Sequence, residues 1–293
     1  MKNRRVHLLV IIALVAAVAS VVGFTARGSG NQSRPATSKP AVKTTLSTGA
    51  PTPKPSSTSS AAAAQNEILR NDLSWTFGGK QQRGWYLYDA LLAETLDTND
   101  APITADFAEA VTKWQKRRGL SASGMLDQNS WMAMVSHWQG NRLKNRASAT
   151  PDQLITAPAT DFYDSSRAPE LRQVERATYD AYLKMIAAAS DDLKLSANNK
   201  YLKIISAFRS REYQDMLRRN SPNAGSAGLA VNNSPHFTGR ALDLYVGGDP
   251  VDTKDANRAI QVNTPVYKWL VRNAERFGFR PYFYEPWHWE YVK

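Results

Sequence analysis

Two stretches decide how this chain is read: Ser234-Pro-His236-Phe-Thr-Gly239-Arg-Ala-Leu-Asp243-Leu-Tyr-Val246 and Glu285-Pro-Trp-His288-Trp-Glu290-Tyr291. Within the first, Arg240 to Val246 reads as a strand bounded by Gly239 and Gly247-Gly248. His236 lies just before the glycine turn and Asp243 inside the strand, so an imidazole and a carboxylate can be aimed at one point. In the second, Glu285 and His288 stand three residues apart across a proline bend, between the apolar-aromatic runs Phe279–Tyr284 and Trp287–Val292. Working outward, Tyr201-Leu-Lys-Ile-Ile-Ser-Ala-Phe208 reads as another strand, with Arg209 at its end. Leu171, Val174, Thr178, Ala181, Tyr182 and Met185 keep helical spacing and predict a helix from about Pro169 to Ala189. A further helix is predicted from about Thr264 to Phe277, stopped by Gly278. This order of helices and antiparallel strands predicts an α+β domain over residues 150–293, a small antiparallel sheet with flanking helices.

The chemistry-bearing residues fall in the same places. The chain has four histidines, His7, His137, His236 and His288, and only the last two belong to this domain. A lone histidine is usually structural, but two beside turns, with an aspartate and a spare glutamate, are a candidate metal site. Two neutral imidazoles and one carboxylate make a three-ligand zinc site with a fourth position open for water. Trp287, Trp289 and Tyr291 read as wall and core residues, and Glu290 as a structural or exposed carboxylate rather than a second base.

The pattern S-x-H-x-x-G-x-A-x-D followed by E-x-W-H resembles the zinc D-alanyl-D-alanine carboxypeptidases of the VanY type. The upstream Ser206-Ala-Phe-Arg209-Ser-x-Glu-Tyr-Gln214 resembles their S-G-Y-R-S-x-E-Y-Q segment, with Ala207 and Phe208 in place of Gly and Tyr. The resemblance implies one zinc ion held by His236, Asp243 and His288, Glu285 as general base and Arg209 as stabiliser of the developing oxyanion. Ser234 is a candidate for holding the substrate's terminal carboxylate. The implied reaction is removal of the terminal D-amino acid from peptidoglycan stem peptides, as a D,D- or an L,D-carboxypeptidase. Two alternatives stay open: an endopeptidase on the same scaffold, and a non-catalytic wall-binding protein with a structural zinc.

Before this domain, Phe107, Val111 and Trp114 mark the apolar face of a helix from about Thr104 to Arg118, with Lys116, Arg117 and Arg118 in its last turn and Gly119 as its stop. Trp131, Met134 and Val135 begin a second amphipathic stretch, and Tyr88, Leu91, Leu92 and Leu96 mark an earlier helix over Gly84–Leu96. The run from Phe107 to Leu120, then Gly124-Met-Leu-Asp127 and Trp131, resembles the peptidoglycan-binding module of three short helices, with Trp114 where Phe is common. An all-α module is therefore expected over residues 65–140.

The N-terminal part is of another kind. Lys2, Arg4 and Arg5 precede an uncharged apolar run from Leu8 to Phe24, which reads as a signal peptide or membrane anchor over residues 1–26. Residues 27–64 are dominated by Pro, Ser, Thr, Ala and Lys and are expected to form a disordered linker. Export to the cell envelope follows, with anchoring in the membrane or release to the wall. The formal net charge is +11, but residues 1–64 contain eight basic residues and no acidic ones, which leaves +3 for the other 229. The basicity is a property of the tail, which argues against nucleic acid as a partner. Cysteine is absent, which excludes disulfides, thiolate metal sites and a cysteine nucleophile.

Overall fold

Alanine has the highest helix propensity of all residues, and the run Ala61–Ala64 lies inside the first helix of the chain rather than in a linker. In the computed structural model, which describes residues 57–196, 198–220 and 234–293, α1 spans Ser57–Asp72. The helix thus already covers the eight residues before the expected boundary at Gln65, and Ala62 and Ala63 are buried where α1 packs against a later helix. The leader expected over 1–26, and the linker expected over 27–64 up to residue 56, lie outside the described residues. All described residues belong to one compact unit.

A hairpin follows, β1 (Ser74–Phe77) and β2 (Lys80–Arg83), where an all-α region is expected. Its two-residue loop is Gly78-Gly79, both at positive φ, the backbone that tight hairpin turns require. Three helices complete this part: α2 (Asp89–Leu96), α3 (Ala105–Arg117) and α4 (Gln128–Gly140). The Thr104 side chain caps α3 by accepting from Phe107 N, and Asp127 caps α4 by accepting from Ser130 N. α3 packs on α1 and buries Phe107, Val111 and Trp114. The α3–α4 loop is pinned by two buried amides. Gln115 bonds Gly124 N, Met125 O and Ser130 Oγ, while Asn66 of α1 bonds Gly124 O and Leu126 N.

The C-terminal part begins with a short antiparallel pair, β3 (Leu154–Thr156) and β4 (Gln173–Glu175). The helix expected from Pro169 therefore starts only at Arg176, since Gln173–Glu175 are engaged in pairing, and α5 runs Arg176–Leu193. Next come β5 (Ile204–Ser206), α6 (Arg211–Asn220), β6 (Ala241–Leu244), α7 (Asp255–Asn263), α8 (Pro265–Asn273), β7 (Phe279–Pro281) and β8 (His288–Tyr291). The main sheet has the order β5-β6-β8-β7, antiparallel throughout. One face of β6 carries Leu242 and Leu244 into the apolar core and the other carries Asp243, as strand alternation dictates. Helices around a small antiparallel sheet make the fold α+β.

The two parts share one apolar core. Phe283, on the β7–β8 connection, inserts among Trp75, Phe77, Tyr88 and Trp138, with ring centroids 4.8–6.5 Å away. That connection also carries Glu285, so the N-terminal helices and hairpin support a loop of the candidate site.

Candidate metal centre

Register places the first pair of side chains. Asp243 lies opposite His288 in the β6–β8 ladder and opposite Ser206 in the β5–β6 ladder. Side chains directly opposite on adjacent antiparallel strands stand about 5 Å apart, and His288 Nδ1 lies 2.9 Å from Asp243 Oδ1. A one-residue slip would turn every side chain of β8 to the other face.

His236 arrives from outside the sheet, on a 3-10 turn over Pro235–Thr238. Ser234 Oγ caps this turn by accepting from His236 N. Gly239 ends it in the left-handed region at φ +67, with the space of a Cβ only 2.8 Å from Glu175 N, so β4 and the turn can meet only at glycine. His236 Nδ1 is 2.6 Å from Ala207 O, which makes Nδ1 the donor and leaves the Nε2 lone pair facing Asp243 Oδ2 at 3.3 Å.

His236, Asp243 and His288 are all buried, and their candidate ligand atoms lie within 4.8 Å of one another. Burial and the nearby Arg209 bring His236 down to about 4, so its imidazole is neutral, as a metal ligand must be. Burial alone would raise the Asp243 carboxyl, but His236, His288 and Arg209 hold it well below the usual range. For His288, burial opposes the charged form, yet its hydrogen bonds to Asp243 and Glu290 win and bring it up to about 9. Two imidazoles converging on one ionised carboxylate, each turned by a bond on its far nitrogen, are a donor set that fits a divalent ion of the zinc kind.

Arg209 joins the group. Its Nη2 donates to Asp243 Oδ2 at 2.8 Å, its Nε donates to Ser206 Oγ at 2.9 Å, and its backbone N donates to His236 O. Glu285 is half-buried and braces the bend through its backbone, its N donating to Tyr282 O and its O accepting from His288 N. Burial raises its carboxyl above the ordinary value, with His288, Asp243 and Arg209 near enough to act on it.

Residues 171–293 match the sequence model of the VanY family, described as D-alanyl-D-alanine carboxypeptidase. The chain carries a VanY peptidase domain. No curated protein matches the chain. Among solved structures it is similar to the LdcB LD-carboxypeptidase, reported with the molecular basis of its peptidoglycan recognition. That likeness has 24% identity and a TM-score of 0.37, and covers 49% of this chain and 70% of that one. A second is a mutant of the D,D-pentapeptidase VanY from a VanB-type vancomycin resistance cassette, in complex with Zn(II). There the identity is 23% and the TM-score 0.28, covering 41% of this chain and 74% of that one. By this match residues 171–293 form a peptidase domain of a family described as carboxypeptidases.

The structure thus brings together His236, Asp243, His288 and Arg209, with Glu285 on the bend beside them and Ser234 at the start of the His236 turn. Two contacts of the surroundings escaped the sequence reading. Glu290, read as a structural or exposed carboxylate, bonds a candidate ligand: its Oε1 lies 3.2 Å from His288 Nε2. Arg142, which precedes the matched residues, forms an ion pair with Glu290. The alternation His288-Trp-Glu290 on one strand could have flagged the first; nothing local in the sequence flags the second.

Proposed function

We propose that this protein is a zinc-dependent carboxypeptidase that removes the terminal D-amino acid from peptidoglycan stem peptides outside the cytoplasm. His236, Asp243 and His288 would hold one zinc ion. The observation that carries this reading is the convergence of those three buried side chains beside Glu285 and Arg209, within residues that match a carboxypeptidase family. Structural zinc alone requires neither a half-buried glutamate with a raised carboxyl nor an arginine beside the ligands.

When bound, zinc supplies a Lewis acid that makes water nucleophilic near neutral pH and polarises a carbonyl. Glu285 takes the proton of the attacking water and returns it to the leaving amine, a role that suits a carboxyl raised above its ordinary value by burial. Arg209 is fixed through Ser206 and Asp243 and presents its guanidinium where the oxyanion develops, an interaction of about 3–4 kcal/mol per donor removed in comparable sites. Ser234, at the mouth of the His236 turn, contributes to binding the terminal carboxylate of the peptide.

In this reading the basic and apolar residues 1–26 direct export or anchor the chain, residues 27–56 tether it, and the helical part engages peptidoglycan. No helix among the described residues is long and apolar enough to cross a membrane, so anchoring would fall to the first segment.

The test is a digest of purified muropeptides ending in D-Ala-D-Ala or in a single terminal D-Ala, with product masses. Loss of one terminal alanine, dependent on added zinc and blocked by chelator, is the expected result. Cleavage within the peptide would make it an endopeptidase, and unchanged substrates with the zinc-loaded protein would overturn the enzymatic reading of this site. Which of the two substrates is trimmed separates D,D from L,D specificity.

A further inference from the structure

Glu290 is fully buried, at 0% exposure, in a place where an isolated carboxylate would be very costly. Its partners come from two directions. Arg142 donates to Oε1 through both Nε, at 3.0 Å, and Nη2, and Leu143 N donates to Oε2 at 2.8 Å. His288 Nε2 approaches the same Oε1 at 3.2 Å. The guanidinium that fixes this oxygen therefore also fixes what His288 leans on.

Arg142 supports His288 by a second route. Its guanidinium lies 3.9 Å from the centroid of the Tyr282 ring, and that ring meets the His288 ring edge-on at 5.8 Å. Tyr282 N donates to His288 O at 2.9 Å. The arginine is itself held at the end of α4, where Nη1 donates to Gln139 Oε1 at 3.3 Å.

We infer that Arg142, with the buried Glu290 that it grips, is a positioning pair for His288, so that the segment after α4 completes the metal centre of the VanY domain. The chemistry is that of a carboxylate behind a histidine ligand. With Nδ1 given to a metal shared with Asp243, the ring proton would sit on Nε2, where an ionised Glu290 can only accept it. Partners of this kind orient the ring and raise its basicity, and their loss typically costs 10–100-fold in metal affinity. Arg142 lies before the matched residues 171–293, so the metal centre depends on a residue that the domain boundary leaves out. The inference rests on the assignment of His288 as a zinc ligand.

The experiment uses the full chain and reads zinc affinity, by competition with a chromophoric chelator, and the visible absorption spectrum of the cobalt(II)-substituted protein. Arg142→Met and Glu290→Gln are each expected to weaken zinc about 10–100-fold and to shift the cobalt bands. The double variant should be no worse than the weaker single one, because the two residues act as one device. Arg142→Lys keeps the charge but not the fork, and should fall between Arg142→Met and the parent. Glu285→Gln should bind zinc like the parent. Parental affinity and an unchanged cobalt spectrum in folded Arg142→Met and Glu290→Gln would reduce the pair to a strut and overturn the inference. Should Arg142→Met fail to fold, Glu290→Gln and Arg142→Lys decide by the same two readouts. His288→Ala separates the two levels. If it binds zinc as the parent does, the ligand assignment itself fails; if it loses zinc while the pair variants do not, only the positioning role fails.

Discussion

Within six residues the β7–β8 connection passes through two environments built on opposite principles. At Phe283 the chain enters a cage of Trp75, Phe77, Tyr88 and Trp138, where the contacts are apolar and their geometry varies from tilted to edge-on. At His288 it enters a site where both ring nitrogens have a named partner and Asp243 Oδ2 is shared by His236 and Arg209. The cage and its neighbourhood tolerate imperfection: among the described residues the indole nitrogens of Trp85, Trp114 and Trp131 are buried with no hydrogen-bond partner. Each such group costs about 1–3 kcal/mol, a cost that the area buried by an indole offsets. The candidate metal centre has no comparable surplus. Apolar packing decides where the loop lies, and directional bonds decide what it can do.

The sharpest way to break this comparison is to remove one member of the polar side. His236→Ala should abolish both zinc binding and hydrolysis, leaving peptide turnover at the level of a blank. Glu285→Ala should keep zinc and lose hydrolysis by about 10²–10⁴-fold, the range for a positioned general base. Metal analysis of the purified variants beside an initial-rate assay reads both. A Glu285→Ala protein that hydrolyses peptide at the parental rate would show that this carboxylate is not the base.

The next effect should appear on the apolar side. Phe283→Ala empties the cage and is expected to cost about 3–5 kcal/mol of stability, the range for burying and then deleting a phenyl ring. It should also lower turnover, because the bend bearing Glu285 loses its anchor, while zinc affinity per folded molecule changes less, since Asp243 and His288 are held by strand register. Chemical denaturation with a parallel zinc titration checks this. A loss of zinc affinity as large as the loss of stability would mean that packing and coordination are not separable here.

These expectations also show why parts of the molecule were legible in the sequence and others not. His236, Asp243 and His288 could be picked out because each sits in a local pattern with a physical cause: a glycine at φ +67 beside the first, and a strand around each of the others. The α3 helix was legible from its apolar face, its Thr104 cap and its basic last turn, and its observed limits differ from the expected ones by a single residue at each end. What escaped depends on distant partners. The β3–β4 pair, which cuts the first turns from the helix expected at Pro169, exists because Leu154–Thr156 lie against Gln173–Glu175. α7, with the polar sequence Asp-Ala-Asn-Arg-Ala-Ile-Gln-Val-Asn, offers little periodicity, and its buried Arg258 is held by Tyr88 OH from the other end of the chain. The β1–β2 hairpin has a strong turn signal in Gly78-Gly79, but Lys80-Gln-Gln-Arg83 carries none of the residues by which strands are recognised. Arg142 reaches Glu290 across 148 residues, a separation at which no local pattern can speak.

The smallest effect compares the same chemical deletion in the two regions. Thr104 and Ser234 are both hydroxyl caps, one accepting from Phe107 N at the start of α3 and the other from His236 N at the start of the His236 turn. Removing such a cap costs about 1 kcal/mol, so Thr104→Ala and Ser234→Ala should show similar, modest losses in denaturant midpoint. Their kinetics should differ. Thr104→Ala changes only a distant helix and should leave both kcat and KM for a muropeptide where they were. Ser234→Ala takes a hydroxyl from the residue next but one to a candidate ligand, and if that hydroxyl also helps to bind the peptide's terminal carboxylate, KM should rise several-fold while kcat changes little, the pattern of lost ground-state binding. Ser234→Thr, which restores an oxygen, should recover part of the affinity. Equal kinetics for the two alanine variants would leave Ser234 as a cap alone, and the peptide's carboxylate would then have to be bound elsewhere in the site, with the unshared donors of Arg209 the first place to look.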